Sequence, residues 1–431
     1  MRRLLPAAAV VAALALAVSA CGGGNGGGNT TSPTAAVSDP SKVSGEITWW
    51  DTTRPDSEGP TLQALIKEFE AKYPQVKVKY VNVPSDQAQG QFQTAAQAGA
   101  GAPDVIRSEV AWTSQFASLG YLQPLDGTRA VDNEADFLPG PLSSTKYNGK
   151  TYAVPQVTDT LALLYNRRLL KEAGHEEAPK TIAELKQTAL DVKAKAGAEG
   201  LALNVDSYFL LPFIYGEGGD LLDVANKKIV VNSPANVRAI QTVADLISSG
   251  AAPKPAPTES YANAMTALKE GKAAMIYNGP WSLSEIYQGK EFKDKKNLGI
   301  APVPAGSVKA GAPTGGWNLA IYAGSKNIPA AYEFVRFMTA VEAQAKIAKE
   351  ISLLPTRTSA YANPDVQGNA DVAVFKPIMD TAVPRPWIPE GGQLFQPLLE
   401  GYQALVGGKS GPEDVLKKVD EQYHGIMKDW S

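Results

Sequence analysis

The chain has 431 residues, 44% hydrophobic and 20% charged, a globular composition long enough for two or three core-forming units. A formal net charge of -3 supplies no broad basic field, which argues against generic attraction to nucleic acid or an anionic membrane. With one cysteine and two histidines, the chain has neither a disulfide framework nor a cluster for metal-based or histidine-based catalysis.

Arg2 and Arg3 form a positive n-region, residues 4–17 an apolar h-region, and Val18, Ser19, Ala20 and Cys21 a small-residue junction, the pattern of a secretory signal. The apolar run is slightly short for a spanning helix, and glycine-rich polar sequence follows at once. "VSAC" resembles the lipobox of bacterial lipoproteins. The resemblance implies that residues 1–20 are removed as a signal peptide and that Cys21 becomes the lipidated first residue. One acyl chain binds a membrane only marginally, so stable anchoring calls for more than one on Cys21. Residues 21–42 lack core-forming side chains and are expected to be a flexible linker with an r.m.s. reach of roughly 25 Å.

From Gly45 onward, short strand-like runs alternate with longer helical ones. "EITWW" at residues 46–50 reads as a strand. Pro60 suits a first helical turn, with Leu62, Leu65, Ile66, Phe69 and Tyr73 on one face, and "VKVKY" at 76–80 has the period-two pattern of a strand. Thr181 and Glu184 form a capping box before a helix closed near Gly197. Ser233 and Pro234 open another helix, with Val237, Ile240, Ala244 and Ile247 inward. "AAMIY" at 273–277 is a buried-strand candidate leading into "NGPW". A late helix puts Ala331, Phe334, Val335 and Met338 on its apolar face, and the last, from Pro412, turns Leu416, Val419, Tyr423 and Ile426 to one side. The alternation predicts α/β layers with largely parallel sheets. No second low-complexity linker separates sequential domains, so two lobes of about 150 to 200 residues would be interleaved.

Catalytic motifs are missing. His175 and His424 are isolated and read as solvated residues, and there is no H-E-x-x-H, G-x-S-x-G or cysteine pair. "GGKS" at 407–410 lacks the upstream glycine of a phosphate loop, since Gln403 stands there. Carboxylate-pair catalysis of glycoside hydrolysis depends on three-dimensional spacing that a sequence does not give.

Aromatic, carboxylate and amide groups at strand ends and in loops are the informative feature: Trp50 and Asp51, Glu109 and Trp112, Asp159, Tyr208 and Phe209, Trp281 and Trp317. A neutral sugar needs a ring face for its C–H surface and fixed partners for its hydroxyls, and these residue types supply both. Gly315 and Gly316 would let the backbone approach a ligand and leave the Trp317 indole exposed. Packing competes at several positions. Trp49, or Trp50 if the pleat faces the other way, fits a core, and Trp112 beside Phe116 and Leu119 suits packing better than a ligand. Trp281 and Trp317 could cap cores, Asp159 could cap a turn, and Arg385 could pair with a surface carboxylate.

"PDVIRSEVAWTSQFASLGYLQPLD", "YNGKTYAVPQVTDTLALLYN", "EGKAAMIYNGPW" and "GAPTGGWNLAIYAGS" together resemble the solute-binding proteins of ATP-binding-cassette sugar importers, in particular the maltose and maltodextrin binders. The resemblance covers Gly45 to the C-terminus. It implies a two-lobed periplasmic-binding-protein-like α/β fold of type II, with residues 43–157 and 321–360 in one lobe and 162–315 and 361–431 in the other. It also implies a monomeric, lipid-anchored protein at the extracellular face of the cell membrane. Such a protein would have no catalytic residues and no cofactor, would bind maltose-type oligosaccharides and would deliver them to importer membrane subunits by lobe closure. Carried over by motif, Glu109, Asp159, Tyr208, Trp281, Gly316, Trp317 and Arg385 match sugar-contacting positions, with Asp51 and Glu58 in a more loosely matching loop. Tryptophan after the Gly-Gly pair resembles trehalose/maltose binders as much as maltodextrin binders. A trehalose or other α-glucoside binder is therefore the alternative, and a secreted glycoside hydrolase a more distant one.

Overall fold

The computed structural model describes residues 39–431; the expected signal segment, Cys21 and the linker up to residue 38 lie outside the described residues. A 3-10 turn at Pro40–Lys42 leads into the Gly45–Asp51 strand. Successive side chains of a strand point to opposite faces, and here both faces are covered. Ile47 and Trp49 enter a core with helices Gly59–Lys72 and Ile328–Met338, while Trp50 packs on the other side with helices Ser85–Ala98 and Trp112–Ser118. Trp49 is the fully buried one, its ring 5.2 Å from Phe334 and 5.7 Å from Tyr80.

Two sheets organise the described residues. In spatial order, the first consists of Leu354–Pro355, Ala153–Asp159, Gly315–Ile321, Val105–Glu109, Gly45–Asp51 and Val76–Asn82. The second consists of Leu298–Ala301, Ala162–Asn166, Ala273–Asn278 and Glu199–Ala202. The same alternation works in the second sheet: Leu163, Tyr165 and Met275 face one core, Ala162, Leu164 and Ile276 the other. The chain passes from the first sheet to the second between Asp159 and Ala162, returns between Ala301 and Gly315, and leaves again after Pro355 for helices that pack on the second sheet. This is a two-lobed α/β architecture with interleaved chain segments. Helix Val341–Ile351 belongs to both halves, with Ala343, Ile347 and Ile351 in the first core and Ala345 and Ala348 in the outer core of the second.

The expectation of largely parallel sheets needs correction. Gly45–Asp51 is parallel to both neighbours, but Gly315–Ile321 is antiparallel to both of its own, and Ala162–Asn166 runs antiparallel to Ala273–Asn278 and Leu298–Ala301. A crossover helix returns the chain in the same direction, whereas these strands enter from the other sheet, so no crossover sets their direction.

Local signals were mostly followed. Thr181 accepts from the Glu184 amide at 3.2 Å, but the Glu184 carboxylate reaches one residue further back, to the Lys180 amide at 2.7 Å. Helix Pro234–Ser248 is rotated from the expected face: Ala239, Ile240, Val243 and Leu246 are its buried apolar residues, and Val237, Ala244 and Ile247 flank them. It packs against both Ser207–Gly216 and Pro412–Ile426, which widens its buried stripe. "GGKS" terminates helix Phe395–Gly407, with Gly408 at φ 73° as the cap. His175 is tied to Asp191 at 2.9 Å and is only partly exposed, a correction to the solvated reading.

Candidate functional site

Strand ends of the first sheet and helical and loop segments of the second half converge on a cavity of about 510 Å³. The first half contributes Glu58, Arg107, Glu109 and Trp112, the crossings contribute Asp159, Gly315, Gly316 and Trp317, and the second half Tyr208, Phe209, Trp281, Arg385 and Phe395. Eight of the nine residues singled out above therefore line one cavity. Asp51 does not. It is fully buried behind the wall, accepting hydrogen bonds from the Tyr80 hydroxyl at 2.7 Å and the Thr53 amide at 3.2 Å. The last residue of a strand can point into the sheet's core side as readily as into a cleft, and the pleat sends this one inward. Larger depressions of about 660 and 720 Å³ lie elsewhere, lined by residues 218–235 with 384–386 and by residues 284–300 with 349–374 among others, and neither carries a tryptophan.

The glycine pair explains how the crossing strands meet the cleft. A side chain at Gly315 would collide with the Asp159 carboxylate and the Tyr208 hydroxyl, and one at Gly316 with the backbone of Val157 and Thr158. Gly316 also has φ 135°, which side chains rarely adopt. A register shift between Trp317 and Asn318 follows, leaving Trp317 half-buried and lining the cavity. Its indole meets Trp112 edge-on at 5.8 Å, and the Arg107 guanidinium lies 4.9 Å from its ring centre. Trp281 is likewise half-buried, donating from Nε1 to the Tyr261 hydroxyl at 3.2 Å with its ring 6.3 Å from that of Tyr208. Packing and cleft-lining are thus not alternatives for Trp112, Trp281 and Trp317, because each has one face on a core and another on the cavity.

The polar groups are held in place. The Tyr208 hydroxyl lies 3.1 Å from both Asp159 Oδ1 and the Pro313 carbonyl. Arg385 pairs with Glu109 Oε1 and donates from Nε to the Thr314 carbonyl at 2.9 Å, while Glu109 Oε2 accepts from the Ala111 amide at 2.8 Å. Arg385 is thus no surface pair; it is 7% exposed and part of the cavity wall. Burial raises the Asp159 carboxyl to about 7 although Tyr208 and Arg385 pull it down, and burial also works against the Arg385 charge, yet nearby Glu109 and Tyr208 leave that group above its ordinary value. Burial likewise lifts Glu58 to about 7 against the attraction of Arg107.

Arg107 and Arg54 are the cationic cavity residues that the sequence reading passed over. Arg107 donates from Nε to Gln156 at 2.8 Å and lies 3.6 Å from Glu58 and 4.0 Å from Asp51. Its signal was available, since an arginine inside the apolar strand "VIRSE" must have buried partners. Glu58 Oε2 and Arg107 Nη1 have no hydrogen-bond partner among the described residues, and both side chains line the cavity. Arg54 crosses the cleft, pairing with Glu285 at 3.1 Å and lying over the Tyr261 ring at 4.5 Å.

Over residues 55–345 the chain matches the family described as bacterial extracellular solute-binding protein. It is 48% identical to the GacH receptor of Streptomyces glaucescens, solved unliganded and with acarbose and an acarbose homolog; the match has a TM-score of 0.88 and covers 90% of this chain and 100% of that one. It is 26% identical to maltose-bound T. maritima MalE3, with a TM-score of 0.82 over 88% of this chain and 99% of that one. A maltotriose-binding protein of Pyrococcus abyssi is 27% identical over 390 residues, covering 88% of this chain and 82% of that protein. A fold that encloses a cavity between two interleaved halves, a family match over more than half of the chain and these relatives agree: this chain belongs to the bacterial extracellular solute-binding proteins, which bind their solutes and are not enzymes.

Proposed function

We propose that the protein captures maltose- or maltodextrin-type oligosaccharides outside the cell and delivers them to an ABC importer by lobe closure. The observation that carries this reading is the cavity between the two sheets, where Trp281, Trp317 and Tyr208 line the wall together with the charged side chains of Glu58, Arg107, Glu109, Asp159 and Arg385. Aromatic faces fit the C–H surface of a sugar ring, and buried charged atoms form strong hydrogen bonds to hydroxyls. The relatives that bind maltotriose, maltose and acarbose support an α-glucoside over other solutes. In this reading Glu58, Glu109, Asp159, Tyr208, Trp281, Gly316, Trp317 and Arg385 contact sugar, and Asp51 acts behind them through Arg107.

The lobes, residues 43–157 with 321–360 and residues 162–315 with 361–431, exchange between open and closed states. Sugar stabilises the closed one because only there do both halves touch it. The protein works as a monomer tethered by lipid on Cys21. Calorimetry against maltose, maltotriose, trehalose and cyclodextrins, with chromatography of the recovered sugar, tests the reading. Binding of a maltose-type sugar, recovered unchanged, is expected; a preference for trehalose alone would redirect it, and hydrolysis or silence toward every sugar would end it. Mass spectrometry of the mature N-terminus tests the anchor.

A further inference from the structure

Between helices Ala370–Met379 and Phe395–Gly407 the chain runs through "TAVPRPWIPEGG", a strap anchored in the second half. The Val383 amide donates to the Ala312 carbonyl at 2.8 Å, and the Val383 carbonyl accepts from the Thr314 amide at 2.8 Å. Val383, Ile388 and Leu394 all pack on the core of the second half. Pro384, Pro386 and Pro389 fix their own φ and bias the residues before them toward extended backbone, so the strap between these anchors is stiff. It nevertheless touches the first half in three places. Arg385 pairs with Glu109; Trp387 donates from Nε1 to the Ser143 hydroxyl at 2.9 Å while its carbonyl accepts from Ser114 Oγ at 3.0 Å; and Gly392 lies so close to Gln89 that a Cβ would sit 3.0 Å from Nε2.

Neither packing nor sugar contact accounts for the Trp387 bonds. The side chain is only partly buried and is absent from the apolar cores of both halves, and none of Ser114, Ser143 and Trp387 lines the 510 Å³ cavity. Its ring centre is 5.4 Å from the Arg385 guanidinium, which lies equally far from the Tyr208 ring of the cavity wall. Trp387 therefore sits behind a cleft residue and bonds to the opposite half. Hydrogen bonds weaken steeply with length and angle, so parting the halves by a few ångströms would break the bonds to Ser143 and Ser114 together with the Arg385–Glu109 pair.

We propose that Trp387 is a positioning residue for lobe closure: the strap carries Arg385 into the cleft and clasps the first half through Trp387, so part of the free energy that holds the lobes together comes from outside the sugar site. The inference rests on the sugar-capture reading and names a contact that serves it. Its test uses Trp387→Phe, which keeps a ring beside Arg385 but lacks the Nε1–H donor, and Ser143→Ala, which removes the acceptor at an exposed position far less able to disturb folding. Maltotriose binding is followed by calorimetry and by stopped-flow fluorescence, and the unliganded melting temperature is measured alongside. A clasp made only in the closed form slows release, so each variant is expected to bind about threefold to tenfold more weakly through faster dissociation, with association and unliganded melting temperature unchanged. The double variant is expected to match either single one, because both remove the same bond. Unchanged affinity, a loss that appears in association, additive losses in the double variant, or a lowered melting temperature with dissociation unaltered would overturn the clasp while leaving sugar capture intact. Failure of every maltose-type sugar to bind would remove both.

Discussion

Arg107 and Arg385 are the two buried guanidinium groups of the cleft, 1% and 7% exposed, and they differ in where their partners come from. Every polar partner of Arg107, namely Asp51, Glu58 and Gln156, stands on or beside the first sheet. Arg385 comes from the C-terminal segment and reaches Glu109 of the first sheet and the carbonyl of Thr314 on a crossing, with its guanidinium 5.4 Å from the Tyr208 ring centre. The first is a brace within one half; the second joins two halves. A brace acts on folding, whereas a group that joins halves acts on closure and on whatever the cleft holds.

Removing the brace should have the largest effect. Arg107→Met leaves Asp51 and Glu58 buried without a counter-charge, which should lower unfolding free energy by about 3–5 kcal/mol in a denaturant titration. A loss under about 1 kcal/mol would show that the carboxylates find water. Arg385→Lys should spare stability by comparison, because the Glu109 side chain is 22% exposed and can hydrate. It should still weaken sugar binding roughly tenfold, because an ammonium cannot hold Glu109 and the Thr314 carbonyl in one plane.

The aromatic walls sharpen the same division. Trp281→Ala and Trp317→Ala should each weaken binding by about 1–3 kcal/mol in calorimetry if their faces stack on sugar. Trp317→Ala should also lower the melting temperature more, since it removes a partner of the brace. Unchanged affinity with lowered melting temperature would return both residues to the cores.

Asp159, on a crossing between the halves, makes stability depend on pH. Its folded value of about 7 lies above the ordinary 3.8, so between roughly pH 4 and 7 the folded protein holds a proton that the unfolded chain has released. The unmodified protein therefore loses this contribution to stability as pH rises through that window, and Asp159→Asn does not. The variant should gain about 2 °C or more in melting temperature relative to the unmodified protein between pH 5 and pH 8. A constant difference would mean that Asp159 is ionised throughout. The smallest effect is expected from Glu285→Gln, which removes the partly exposed Arg54 pair across the cleft. It should cost under about 1 kcal/mol in ligand affinity, and that cost should shrink with added salt.

Much of the fold was legible because local rules and tertiary packing agree in it. The Gly59–Lys72 and Ile328–Met338 helices bury the residues that their periodicity selected. Sheet direction was not legible. It depends on which half a strand enters from, and no short-range pattern records that. In the site, "NGPW" and "TGGW" marked tryptophans that do line the cavity. Arg107 was hidden mid-strand among apolar neighbours, and Asp51 was misplaced because its direction depends on pleat phase.

By itself the sequence determined the globular class, the alternation of strands and helices, and the residue types suited to a neutral hydroxylated ligand, because these follow from composition and short-range periodicity. The tertiary structure alone decided which carboxylate faces the cleft and which lies behind it, and how Arg385 reaches across to Glu109. Each of these brings together residues dozens to hundreds apart in sequence, and only the packing of two interleaved halves sets their distance.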